Sequence, residues 1–176
     1  MQSTCRLSRQ IVAAALVLLM GGVVAPHASA SEAACSTFDW PLERELASLS
    51  APGLGLAESG DAIRANGVAM ALNLKPMANV TFALAPERKP KHAGSFGAVV
   101  VATPEKPGLH QITLSAEAWV DVVQDGRFLR SVAFSGRSGC AAMRKSVRFE
   151  LQQRPATIQI SGASGQRINL IVTPAN

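Results

Sequence analysis

The stretch Leu109–Ser135, LHQITLSAEAWVDVVQDGRFLRSVAFS, decides how this chain is read. It divides into three apolar runs, and the last two are joined by Asp125-Gly126. A two-residue type I′ turn needs positive φ at both central positions, which Asp and Gly tolerate, so Asp-Gly between alternating runs predicts a β-hairpin. A two-residue turn also fixes the register. Gln124 then faces Arg127, Val123 faces Phe128, Val122 faces Leu129, Asp121 faces Arg130 and Trp119 faces Val132. Most of these pairs are apolar, and Asp121–Arg130 would be an ion pair across the strands.

Outward from the hairpin the same period-2 signal recurs. Val68, Met70, Leu72 and Leu74 alternate, as do Val80, Phe82 and Leu84; Ala98–Ala102 is a continuous apolar run. Beyond the hairpin, Val147, Phe149 and Leu151 alternate with Ser146, Arg148 and Glu150. Ile158 and Ile160 alternate with Thr157 and Gln159, and Ile168, Leu170 and Val172 give a last apolar face. About eight short strands separated by Gly- and Pro-containing turns predict a mainly β fold, an antiparallel β-sandwich of jelly-roll-like type. Ahead of the strands, Leu42, Leu46 and Leu49 fall at i, i+4 and i+7 behind Asp39 and Pro41, the pattern of a short N-terminal amphipathic helix.

The first thirty residues have the layout of a secretory signal peptide. Arg6 and Arg9 precede the apolar run Ile11–Val24, and Ala28-Ser29-Ala30 supplies the small residues of a cleavage site. The run is short of the ~20 residues of a spanning helix. The expected organisation is a cleaved signal over 1–30, a helix and connection over 31–67, and the β domain over 68–176, with no membrane span after cleavage. The 146 residues after the signal hold 15 of the 17 basic side chains and all 12 acidic ones, a net charge of +3. That balance is too weak to predict nucleic-acid binding. A periplasmic or secreted location is expected, and two cysteines in an exported domain, Cys35 and Cys140, predict one disulfide.

The runs GLHQITLS, WVDVVQDG, KSVRFEL, ATIQISG and INLIVTP, spanning residues 108–174, resemble the strand sequence of small secreted bacterial β-sandwich domains of the pre-peptidase C-terminal type. The aromatic Gly-Thr-Tyr-Tyr signature of that family's closing strand is absent, and the chain has no Tyr. The resemblance implies a non-catalytic accessory or binding module.

The residues themselves point the same way. An enzyme needs a nucleophile, a base and an orienting group within reach. His92 and His110 stand near no G-x-S-x-G elbow, since neither Gly136-Arg137-Ser138-Gly139 nor Gly162-Ala163-Ser164-Gly165 completes one. Met70, Met77, Met143 and the two histidines show none of the close spacing of a copper site, so neither a cofactor nor a metal is expected. Two binding surfaces remain. Trp119 and Phe128, with Asp121 and Arg130 between them, would form a polar pair flanked by aromatics on one face of the hairpin. Arg88, Lys89, Lys91 and His92 form a basic loop between prolines. The function expected is that of a non-enzymatic envelope accessory or binding protein. Its partner would be an anionic envelope polymer, a carbohydrate or another envelope protein. The alternative is a small periplasmic hydrolase or metal-handling protein.

The exported protein is expected to begin at Ser31. Intact-mass measurement on secreted material checks this, and a mass that retains residues 1–30 would overturn the signal assignment.

Overall fold

The computed structural model describes residues 30–175, with side chains from residue 33 onward; residues 1–29, most of the stretch expected to be a signal peptide, lie outside the described residues. The chain is mainly β and carries two sheets of six strands each. Two short helices come first, α1 (Ala30–Cys35) and α2 (Glu43–Leu49). The first sheet contains β1 (Gly55–Ala57), β3 (Met70–Asn73), β6 (Gly108–Leu114), β9 (Ala133–Gly136), β10 (Lys145–Leu151) and β12 (Arg167–Pro174), in the order β1-β3-β12-β6-β10-β9. The second contains β2 (Ala62–Arg64), β5 (Phe96–Thr103), β11 (Ala156–Ala163), β7 (Trp119–Gln124) and β8 (Arg127–Phe128) in the order β2-β5-β11-β7-β8, with β4 (Lys75–Pro76) also on β5. All neighbours are antiparallel except β1 with β3 and β2 with β5. The connection expected over residues 51–67 thus supplies both parallel edge strands.

Alternation places one side chain in two from each sheet into a single core. Leu72, Ile112, Leu114, Phe149, Ile168 and Leu170 come from the first sheet, and Ala98, Val100, Val120, Val122, Ile158 and Ile160 from the second. The opposite faces are not bare. They carry polar side chains that are nonetheless buried: Gln111, Thr113, Ser146 and Thr173 on the first sheet, Asp121, Gln159 and Ser161 on the second. Burying such groups without partners is costly, so each face needs a cover that hydrogen-bonds to it.

Residues 35–50 cover the first sheet. Leu42 and Leu49 pack with Ile171 of β12, Cys140 and Met143 in a second, smaller apolar cluster. The helix face turned to the sheet is not purely apolar, which corrects the expected amphipathic stripe. Glu45, only 2% exposed, lies on it, and Thr173 Oγ1 donates to Glu45 Oε1 at 2.6 Å. Burial pushes the Glu45 carboxyl up, but bonds from Thr173, Gln111 and Arg44 outweigh it and leave the group below its ordinary value. Asp39 does not cap the helix, whose N-cap is Leu42 without a side-chain bond. Instead Asp39 accepts from Arg137 at 2.8 Å. The Arg137 guanidinium also bonds Thr37, and Arg148 stacks on Trp40 at 4.2 Å from the ring centroid. The Cys35–Cys140 disulfide fastens this cover to the loop after β9.

Residues 77–92 cover the second sheet. The alternation Val80-Phe82-Leu84 predicts a strand, but none forms there; a 3-10 turn over Met77–Asn79 leads into irregular chain. The reason is Gln159, fully buried between Ile158 and Ile160. Its Oε1 accepts from the backbone N–H of Ala83 (2.7 Å) and Leu84 (3.1 Å), and its Nε2 donates to the Leu84 carbonyl at 3.0 Å. A side-chain amide thus takes the bonds a neighbouring strand would have made. Gly97 on β5 allows close approach, since a Cβ there would lie 2.6 Å from Ile160 O and 2.8 Å from Met77 Sδ. The strand expected over Val68–Leu74 is shorter, and Val68 is 50% exposed rather than on the core face.

The hairpin turn forms as its sequence requires. Asp125 and Gly126 take φ of 56° and 71°, and Val123 pairs with Phe128 and Gln124 with Arg127. The Leu129 N–H still reaches the Val122 carbonyl at 2.8 Å. Beyond that the expected register ends. Residues 130–132 leave the second sheet, the Val132 N–H bonds the Arg148 carbonyl at 2.8 Å, and β9 joins the first sheet beside β10. The Asp121–Arg130 and Trp119–Val132 pairs therefore do not form. The opposite edge of β7 is taken by β11, which sets Gln159 opposite Asp121 and Ser161 opposite Trp119.

Replacing both Cys35 and Cys140 by Ser is expected to cost about 4–5 kcal/mol, because the bridge closes a loop of 105 residues. Urea unfolding of the oxidised protein and of the double variant measures this. An unchanged midpoint would show that the cover holds without its staple.

Candidate functional site

The departure of the chain from β8 to β9 leaves an opening between the sheets. A cleft of about 460 Å³ lies there, lined by Val120 of β7 and by Val147 and Phe149 of β10 from the inner faces, by Trp119 and Asp121 from the outer face of β7, by Lys145, and by Leu129 and Phe134 at the crossing. Phe134, on this lining, is 71% exposed. A second hollow of about 290 Å³ adjoins it, formed by Arg88–His92 over Trp119, Ser161 and Gly162. Arg88, Glu117 and Trp119 line both. The two surfaces legible in the sequence, the hairpin aromatic and the basic loop, are thus one locus joined at Trp119.

Trp119 is the hub. Its Nε1 donates to Asp121 Oδ1 at 2.6 Å, the Arg88 guanidinium lies 4.5 Å from the ring centroid and the Lys145 ammonium 5.2 Å from it. Asp121 Oδ2 accepts from the Glu87 backbone N–H at 3.2 Å, which ties the second cover to the site. Burial is the main influence on Asp121 and raises its carboxyl above the ordinary value. The bonds from Trp119 and Glu87 offset this only partly, and the nearby Glu87 carboxylate adds to the rise. Lys145 Nζ donates to the Ala118 carbonyl at 3.0 Å. Burial lowers the Lys145 ammonium; Glu117 resists, and the positive charges of Arg88, Arg144 and Lys91 add to the lowering. Glu117 itself pairs with Arg144 at 2.8 Å. Positive charge is therefore gathered here beyond what the neighbouring acids neutralise.

The other residues of the expected surface lie elsewhere. Phe128 is half-buried against Val123 in the short β8 pairing, and Arg130 is exposed after the chain leaves the sheet; neither lines the cleft. Lys89, Lys91 and His92 are exposed over the second hollow, and the His92 carbonyl accepts from Ser95 Oγ at 2.7 Å. His110 is buried in the first sheet, with Nδ1 2.9 Å from the Gly108 carbonyl, and lines neither hollow. Among the described residues no group of three or more His, Cys, Asp or Glu side chains is placed to hold a metal ion. Nor is any described helix long and apolar enough to cross a membrane. Sequence reasoning did not single out Glu117, Phe134 or Ser161. The signal available for Ser161 was a polar residue next to the Gly of a bulge. The β11–β5 register shifts between Ile160 and Ala163, and Gly162 takes φ of 75° there.

No protein-family model matches the chain, and no curated protein matches it at a significant level.

Asp121→Asn is expected to change how stability depends on pH. A carboxyl whose folded value lies above its ordinary 3.8 binds its proton more tightly when folded, so its contribution to stability falls as pH rises through that window. The stability difference, variant minus wild type, should therefore shift in the variant's favour as pH rises from roughly 3 towards 7. Thermal melts of both proteins across that range test it, and a flat difference would refute the assignment.

Proposed function

We propose that this chain is an exported, non-enzymatic accessory or binding protein of the periplasm or cell envelope. In this reading the two sheets form a jelly-roll-like β-sandwich of the kind seen in pre-peptidase C-terminal-type domains, and the ligand site is the cleft at Trp119. One observation carries it: the cleft unites an aromatic side chain, a buried carboxylate and flanking cations at a gap between sheets, with the exposed Phe134 at its mouth. Apolar lining with a few converging polar groups is the usual composition of a ligand site. Export is supported by the Cys35–Cys140 disulfide and by the signal-like sequence before Ser31. The partner in this reading is an envelope component, an anionic polymer or carbohydrate or a protein carrying one.

Retention of the purified exported protein on isolated envelope fractions, at low and high salt, tests the proposal. Salt-resistant retention on one fraction is expected. Phe134→Ala, at an exposed position, should weaken it about tenfold while leaving the melting temperature in place. Retention lost in high salt would reduce the interaction to diffuse charge attraction, and no retention at either salt would remove the envelope reading.

A further inference from the structure

The hollow under the basic loop has a composition of its own. Arg88, Lys89 and Lys91 lie over it, and none of the three has an ion pair among the described residues. Ser161 forms part of its floor, and Ser161 Oγ is buried with no hydrogen-bond partner among the described residues. An orphaned buried hydroxyl is uncommon in a folded protein and calls for a partner. Glu117 is the only acid on the lining, and Arg144 already engages it. At the bulge the Pro90 backbone passes over Gly162, with its Cα 3.9 Å from where a Cβ on Gly162 would lie.

We propose that this hollow is a phosphate subsite of the Trp119 cleft. The inference rests on the cleft being the ligand site. Three unpaired cations and a hydroxyl donor match a group with several charged acceptor oxygens. A lone carboxylate would be satisfied by a single guanidinium fork and would leave the other cations unmatched. Arg88 is the link between the two parts: its guanidinium lies on the Trp119 ring and lines both hollows, so a phosphate drawn to it changes the environment of the indole.

Trp40 and Trp119 are the only tryptophans, so a Trp40→Phe protein reports Trp119 fluorescence alone. It would be titrated with inorganic phosphate, glucose 6-phosphate, glucuronate and glucose, with chloride at matched ionic strength. A saturable change with phosphate or glucose 6-phosphate is expected, weakened about tenfold by Ser161→Ala and several-fold by Lys91→Ala. Ser161→Ala removes only an unpartnered hydroxyl, so its fold should persist, which a thermal melt checks. Tighter binding of glucose 6-phosphate than of inorganic phosphate would identify a phosphorylated ligand; equal binding would identify free phosphate. Glucuronate binding as tightly as phosphate, an equal change with chloride, or Ser161→Ala titrating like the parent would each overturn the subsite. Envelope retention measured on the same preparation separates the two ideas. Retention without phosphate binding leaves the cleft reading standing and removes the subsite, whereas loss of both removes both.

Discussion

The constraint on which this architecture depends is the burial of polar side chains on the outward faces of its sheets. Gln159 shows it most plainly. It sits at full burial in the middle of β11, and all its amide bonds go to the backbone of residues 83 and 84. Remove that segment and the amide loses its partners and is opened to water. Remove the amide and the Ala83 and Leu84 N–H groups lose their acceptor. Each is a condition for the other, which is why an irregular segment can be held as firmly as a strand. The first sheet repeats the arrangement with Thr173 and Glu45, Ser135 and the Asp39 N–H, and adds a covalent bond at Cys35–Cys140.

The two buried carboxylates show how the covers differ. Glu45 and Asp121 are both almost inaccessible, and burial pushes both up. Glu45 accepts from Arg44 and Thr173, with Gln111 also favouring its charged form, and ends below its ordinary value. Asp121 accepts from Trp119 and one backbone N–H, has Glu87 nearby, and ends above it. The first carboxylate is fully matched, so its cover is a closed structural joint. The second is under-matched and lines the cleft from the outer face of β7. An incompletely compensated charge in a cleft is a pattern that recurs at functional sites.

What the sequence made legible was local. The Asp125-Gly126 turn dictates positive φ, and the pairs beside it follow within two residues. The alternation of Val147–Leu151 and Ile168–Val172 marks faces that do point to the core. Two features were not legible, for identifiable reasons. Alternation at Val80–Leu84 is the same for a strand and for a segment that lies over a sheet, because both bury every second side chain; only Gln159, far along the chain, decides between them. Continuing the hairpin past Leu129 assumes that a strand stays with its partner. Nothing in Arg130–Val132 announces that β9 belongs to the other sheet, because β10, which pairs with it, lies downstream.

That crossing also joins two surfaces that look separate in the sequence. Had β8 continued along β7, Asp121 would have faced Arg130 as a cross-strand ion pair, and Phe128 and Trp119 would have shared a flat face. Because the strand breaks, Asp121 turns to the Trp119 indole and the Glu87 backbone, the sheets part at that edge, and Lys145 reaches across from β10 to the carbonyl beside Trp119. The basic loop is drawn in by the same bonds, since its first residues belong to the segment fixed by Gln159 and Asp121. The cleft, its charge and its aromatic wall thus follow from one event, the transfer of the chain between sheets after a two-residue strand. The cover of the second sheet places Arg88 where that event leaves Trp119 open.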